Sequence, residues 1–400
     1  MFGALAAITI KPETFLVIIA AAAIAGTLST VLRIGAIVVP AVVFELVLGV
    51  LIGPHVAGFS PSTFVTFFAD LGLGLLFFFA GYEIDIPRIM GVPLALALAG
   101  WALSLAIGYS LGAILAAAGV VLSLLYTGSA LATTALGTLI PILSDAGELE
   151  TRMGTYLLAA GAVGEFGPVL LLTLILSAQS TLHNALILLA FVAVAVLVAI
   201  LALRSSERTL PLFERTLETS SQVAVRWVLV LVFALALLAY RLGLDLLLGG
   251  FAAGMITRLL LKEHEMPAFD SKVTAVGFGV FVPFFFVVSG MKLDVSALFA
   301  SPSGVVKLVV FFLLFLAVRG TPALLLYRRV LIARDRAALA LFSSTQLPMV
   351  VAITDLAVSS GHMRASTAAA LVGAAALSTL VYPVLGLKLK AADAAQIEMA

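Results

Sequence analysis

Glu165 is the one charge in the stretch LLAAGAVGEFGPVLLLTL (157–174), with Gly164 before it and Gly167 and Pro168 close behind. A carboxylate in so apolar a run can hold a proton or a cation. If the run lies in lipid, an ionisable group there costs roughly 2.5–3.5 kcal/mol or more and normally carries function. Arg319, in LAVRGTPALL (316–325), is a second charge of the same kind. Two clusters of hydroxyl and amide side chains complete the candidate chemistry. One is TGSALATTALGTLIP (127–141), with Ser129, Thr133 and Thr134; the other is FSSTQLPMV (342–350), with Ser343, Ser344, Thr345 and Gln346. Hydroxyls and free backbone carbonyls are hard oxygen ligands suited to alkali cations. Either cluster alone also reads as an ordinary kink whose Ser and Thr bond back to the helix.

The elements that must position these residues are membrane helices. Hydrophobic residues make up 63% of the 400 and charged residues 11%, with a mean hydropathy of +1.23. Soluble domains run at roughly 45–50% apolar and about 25% charged. Apolar windows near the ~20 residues that span hydrocarbon recur along the chain, without the ~10-residue alternation of outer-membrane strands. The fold class is therefore an all-α polytopic membrane protein, with about thirteen spans near 14–33, 36–54, 63–82, 93–118, 120–143, 153–178, 183–203, 223–241, 244–261, 274–291, 304–328, 337–358 and 366–388. The first is read as a retained span, since no basic region precedes it. Cysteine is absent, which excludes disulfides and thiolate metal sites. The dispersed basic residues, net charge +1, give no reason to expect nucleic acid. Scattered histidines and the lack of a GxxxxGK loop lead us to expect no cofactor, no ATP drive and no enzyme chemistry.

An odd number of spans puts the termini on opposite sides. With the C-terminus inside, sixteen Lys/Arg are cytoplasmic, five are outside and Arg319 is within a span. The positive-inside bias thus places the N-terminus outside. The expected division is a first repeat plus linking span at 1–203 and a charged cytoplasmic linker at 204–222. A second repeat at 223–390 and a short tail at 391–400 follow. Spans 1–6 and 8–13 then have opposite topology, and the two polar clusters fall in the equivalent spans 5 and 12. Inverted repeats with discontinuous helices at midplane mark many secondary transporters. Unwound backbone survives at that depth only inside protein or beside a watery cavity.

At 1.5 Å per residue, Glu165 lies about 18 Å and Arg319 about 14 Å from the cytoplasmic ends of their spans. A midplane carboxylate with a nearby cation results, and a buried structural salt bridge is the alternative. Glu45 would hold the scaffold or line a funnel. Asp70, Asp245 and Asp355 fall near span ends, and Glu83, Asp85, Asp145 and Glu148 read as solvated loop charges.

Six collinear stretches carry a resemblance: PAVVFELVLGVLIGP (40–54), FADLGLGLLFFFAGYEID (68–85), ALATTALGTLIPILSDAG (130–147), GGFAAG (249–254), VPFFFVVSGMKLD (282–294) and the Arg319 segment. The chain resembles the monovalent cation:proton antiporters, specifically the antiporter-2 branch of sodium/proton exchangers and potassium efflux systems. The resemblance implies that Glu165 takes the place of the ion-binding aspartate and that Gly164 stands where relatives carry Asp, Asn or Gln. Arg319 would match a basic residue that is often Lys, and Thr133 and Thr134 would lie in the unwound segment. It further implies crossing discontinuous helices, an elevator-type bundle of spans 4–6 and 11–13, and a static scaffold forming a homodimer in the bacterial cytoplasmic membrane. Exchange of Na+ or K+ for H+ is expected, electroneutral because one carboxylate carries it. A sodium-coupled symporter of an organic anion and a non-transporting sensor are the competing readings.

Overall fold

The computed structural model describes residues 12–34, 37–38, 40–84, 86–175, 181–244, 246–261, 266–299 and 302–397; Asp85 and Asp245 lie outside them. Helices occupy every apolar range expected from the sequence. Among the described residues, nine helices are long and apolar enough to cross a membrane, and shorter apolar helices lie at Ala41–Ile52, Leu124–Ile140 and Leu246–Leu261. The chain divides into two compact units, and neither is a continuous half. One comprises Met1–Arg33, Pro40–Ile84 and Thr173–Lys292; the other comprises Ile34–Val39, Asp85–Leu172 and Leu293–Ala400.

The first unit packs backbone against backbone. A Cβ on Gly254 would lie 2.0 Å from the Phe78 carbonyl, and one on Gly49 would lie 2.1 Å from that of Val287. Small residues at such contacts let apolar helices approach closely where no hydrophobic effect drives them together. In the second unit the core gathers Leu139, Leu157, Tyr327, Leu339 and Phe342. This unit holds two broken helices, Leu124–Leu131 followed by Leu136–Asp145, and Ala333–Ser343 followed by Pro348–Ser359. It also holds Val92–Ala117, most of Arg152–Ile175, and Ala365–Ile397. The span bearing Arg319 begins as an α-helix at Pro302–Phe315 and widens to a π-turn at Leu316–Gly320.

Four expectations change. The charged linker expected at 204–222 is largely helix, because Thr181–Leu217 runs on for 37 residues. Arg and Glu are good helix formers, and Ser205, Thr209 and Thr216 return their hydroxyls to Leu201, Ser205 and Leu212. The chain then turns at Gln222, whose φ is 45°. The expected tail is helical through Ile397. Residues Arg33–Ile34 and Ile37–Val38 form a two-residue β pairing, which the β-branched IGAIVV run around a glycine favours. Glu83, expected as a solvated charge, is half-buried with Oε2 shut off from solvent and from any hydrogen-bond donor among the described residues.

Candidate functional site

The two breaks fall at Ala132–Ala135 and Ser344–Leu347. Pro348 opens the helix after the second break, a position where its missing N–H costs no helical hydrogen bond. Each break supplies what the other lacks. The Ala135 N–H donates to the Thr345 carbonyl at 2.8 Å, and Thr134 Oγ1 donates to the Ser343 carbonyl at 2.7 Å. Thr133 Oγ1 donates to Gln346 Oε1 at 2.8 Å, while Gln346 Nε2 donates to the Leu131 carbonyl at 3.1 Å. Backbone groups that water cannot reach are thus paired, as the interior of a membrane requires. The helix Ala365–Ile397 completes the crossing. Gln346 N–H donates to Ser378 Oγ at 3.0 Å, and Thr379 Oγ1 donates to the Gln346 carbonyl at 3.1 Å.

Glu165 and Arg319 are each 4% exposed. The helix Arg152–Ile175 carries Pro168 in its interior. Proline has no N–H, so the Gly164 carbonyl loses its partner four residues on. The Thr134 N–H takes that carbonyl instead, at 3.2 Å, which ties the residue before Glu165 to the first break. Arg319 fastens the same place from the π-turn, a feature frequent at functional sites. Its Nε donates to Thr134 Oγ1 at 2.9 Å, Nη1 to Ser104 Oγ at 3.3 Å and Nη2 to the Ala160 carbonyl at 3.0 Å. Ser104 in turn donates to the Val318 carbonyl at 3.0 Å. Gly164, lacking a side chain, leaves the space that the guanidinium fills.

The residues singled out from the sequence divide by role. Thr133, Thr134, Gln346 and Arg319 meet through their side chains, and Ser343 and Thr345 through their carbonyls. Ser343 Oγ is itself buried without a hydrogen-bond partner among the described residues. The hydroxyls of Ser344 and Thr345 bond back to Ala340 and Leu341 of their own helix. Ser129 faces Tyr109, whose hydroxyl is 3.1 Å away, a turn ahead of the break. Glu45 is buried in the first unit, and Asp70 and Asp355 are exposed. Ser104, Ser378 and Thr379 are site residues that the sequence reading missed. The inverted repeat could have exposed one of them: Ser378 lies as many residues into span 13 as Glu165 lies into span 6.

Two crossing broken helices around a buried carboxylate and arginine define a secondary-transporter membrane domain. The profile described as "Sodium/hydrogen exchanger, transmembrane" matches residues 18–386, and the chain belongs to that family. It is 29% identical over 276 residues to the Na(+)/H(+)-K(+) antiporter GerN of Bacillus cereus, a match covering 68% of each chain. It is 28% identical over 267 residues to the Na(+)/H(+) antiporter of Enterococcus hirae, covering 64% of this chain and 68% of that one. Its fold is shared with the sodium proton antiporter MjNhaP1 of Methanocaldococcus jannaschii, with a TM-score of 0.67 at 16% identity over 97% of this chain and 98% of the other. The comparisons give no support to the expectation of a sodium-coupled organic-anion symporter, since these relatives are antiporters by name.

Proposed function

We propose that this chain exchanges a monovalent cation, Na+ or K+, for protons across the bacterial cytoplasmic membrane. The observation that carries the reading is the second unit's crossing, where Arg319 and both breaks share one buried network that also takes the carbonyl of Gly164, the residue before the buried Glu165. The names of the relatives agree with it. Glu165 holds either a proton or the cation. Carbonyl and hydroxyl oxygens of the breaks, with Ser343 Oγ among them, supply the remaining ligands. Arg319 keeps a fixed positive charge beside the site, so the network tolerates Glu165 as a carboxylate when it is empty. One carboxylate carries one cation or one proton, which makes the cycle electroneutral. The second unit moves as an elevator against the first, which forms a homodimer, with thirteen crossings, the N-terminus outside and the C-terminus inside.

The test is proton flux in proteoliposomes, followed with a pH-sensitive dye as Na+, K+ or Li+ is added. Cation-evoked proton movement in the wild type, absent in folded Glu165→Gln, is the expected result. Retained exchange in that variant, or no response to any cation in the wild type, overturns the reading.

A further inference from the structure

The three elements that meet at the crossing meet a second time near their ends. Lys390 stands on the helix Ala365–Ile397, twelve residues past Ser378. Its Nζ lies 2.6 Å from Asp335 Oδ1 and 3.4 Å from Glu148 Oε2. Asp335 is in the first turn of Ala333–Ser343, the half-helix that leads into the second break. Glu148 comes just after Leu136–Asp145, the half-helix that leaves the first break. The sequence suggested a solvated loop charge at Glu148, but tertiary packing holds it. The Glu148 N–H donates to the Leu143 carbonyl at 2.9 Å, and Thr151 Oγ1 donates to the Glu148 carbonyl at 2.7 Å. The side chains of Lys390, Glu148 and Asp335 are 15%, 16% and 18% exposed.

Exposed ion pairs fix little, because water screens them and long side chains stay loose. Here burial removes much of that screening, and one ammonium answers two carboxylates from different elements. Neighbouring charges are engaged elsewhere: Arg336 gives Nη1 to the Leu324 carbonyl, and Glu150 takes Arg88 at 3.2 Å. Burial alone would lower the Lys390 pKa, but the Asp335 hydrogen bond and the two carboxylates outweigh it and raise it above the ordinary lysine value. The ammonium therefore stays charged at neutral pH. At 1.5 Å per residue, Leu136–Asp145 is about 15 Å long and Asp335 stands about 14 Å before Ser344. Each arm thus has one end at a break, where carbonyls and hydroxyls gather, and the other at Lys390. Two arms of similar length, joined at both ends, form a closed frame. Its third side is the Ala365–Ile397 helix, bonded to the second break through Ser378 and Thr379.

We propose that Lys390 is a positioning residue for exchange: by holding Asp335 and Glu148 together it fixes the spacing of the two half-helices, and with it the cation affinity of the breaks. The assignment rests on the exchange reading above and adds to it a residue that touches neither ion. Opening the frame at Lys390 tilts both arms and shifts the oxygens at their far ends.

Lys390→Met keeps much of the side chain's length and removes its charge. In proteoliposomes it should raise the apparent KM for the cation about tenfold, the scale on which groups behind an ion's ligands act, and leave the maximal rate little changed. Lys390→Arg should keep KM near the wild-type value. Asp335→Asn, the milder change should Lys390→Met fail to fold, should raise KM in the same direction. Joined to Lys390→Met it should do no further harm, since both remove one interaction. A second readout needs no transport. The chain has no cysteine, so spin labels on Ala146→Cys and Ala333→Cys, both at exposed positions, report the distance between the arms. Lys390→Met should broaden that distance and Lys390→Arg should not. An unchanged KM in Lys390→Met and Asp335→Asn, or additive effects of the two, overturns the positioning role. Label distances indifferent to Lys390→Met overturn the frame. A wild type that exchanges no cation overturns the exchange reading, and the label distances still decide the frame.

Discussion

A Cβ placed on Gly164 would stand 2.6 Å from Arg319 Nη2 and 2.9 Å from Thr134 Oγ1. The glycine and the arginine are therefore one choice: the guanidinium lies where a side chain at 164 would be. The family resemblance implies a polar residue at position 164, where this chain carries glycine, and matches Arg319 to a basic residue that is often lysine.

That pairing predicts a coupled response. Gly164→Asn alone should displace Arg319 and abolish exchange, while Gly164→Asn combined with Arg319→Lys should recover a measurable part of it. A double-mutant cycle on thermal unfolding in detergent should give a coupling of about 1–3 kcal/mol. Additive effects of the two substitutions would refute the pairing.

The Thr134 hydroxyl joins Arg319 to the second break, accepting from Arg319 and donating to the Ser343 carbonyl. Thr134→Val keeps its shape and leaves a buried guanidinium N–H and a buried carbonyl unpaired. The expected cost is about 2–3 kcal/mol, with exchange lost. Ser129→Ala, a turn away, should cost about 1 kcal/mol or less. Chemical denaturation of both variants, side by side, is the measurement.

Pro168→Ala restores an N–H to the middle of the Arg152–Ile175 helix. Helix propensity alone would make this stabilising, by up to about 3 kcal/mol. The new N–H instead competes with Thr134 N–H for the Gly164 carbonyl. The expected outcome is a variant no less stable than wild type whose turnover falls at least tenfold, read by dye-monitored flux. Unchanged turnover would mean the freed carbonyl does not position the first break.

Burial pushes the Glu83 carboxyl from 4.5 up to about 8. The folded state therefore binds this proton more tightly than the unfolded one, so its contribution to stability is full below pH ~4.5 and is lost as pH rises toward 8. Wild type should lose stability across that window by less than the ~1.4 kcal/mol per pH unit of one fully coupled group, because Glu83 is only half-buried. Glu83→Gln should flatten the slope. Thermal unfolding at pH 5, 6.5 and 8 decides it.

Much of the site was legible because intramembrane charges are rare and because the two proline-bearing polar clusters fall in equivalent spans, which neither cluster alone would have made meaningful. Glu165, Arg319, Thr134 and Gln346 were visible in that way. Ser104 and Ser378 were not, since a lone serine in an apolar span reads as a hydroxyl bonded back to its helix; Ser344 does just that. The linker misled for a different reason. Charged residues signal an exit from lipid, but Arg and Glu sustain a helix as well in water as apolar residues do in hydrocarbon, so polarity ended the span without ending the helix. Glu83 follows the charged-loop pattern in sequence, and only tertiary packing closes it off.

The bonds between the two breaks also bear on how the chain is made. The Ala135 N–H finds its partner on Thr345, which leaves the ribosome 210 residues later. At ~5–20 residues per second that delay is on the order of 10–40 s. Through that interval the first broken helix has been synthesised while the groups that complete it do not yet exist, so its open backbone must stay near water, the insertion machinery or a chaperone. The order of synthesis thereby makes the second broken helix the template on which the first one finishes folding.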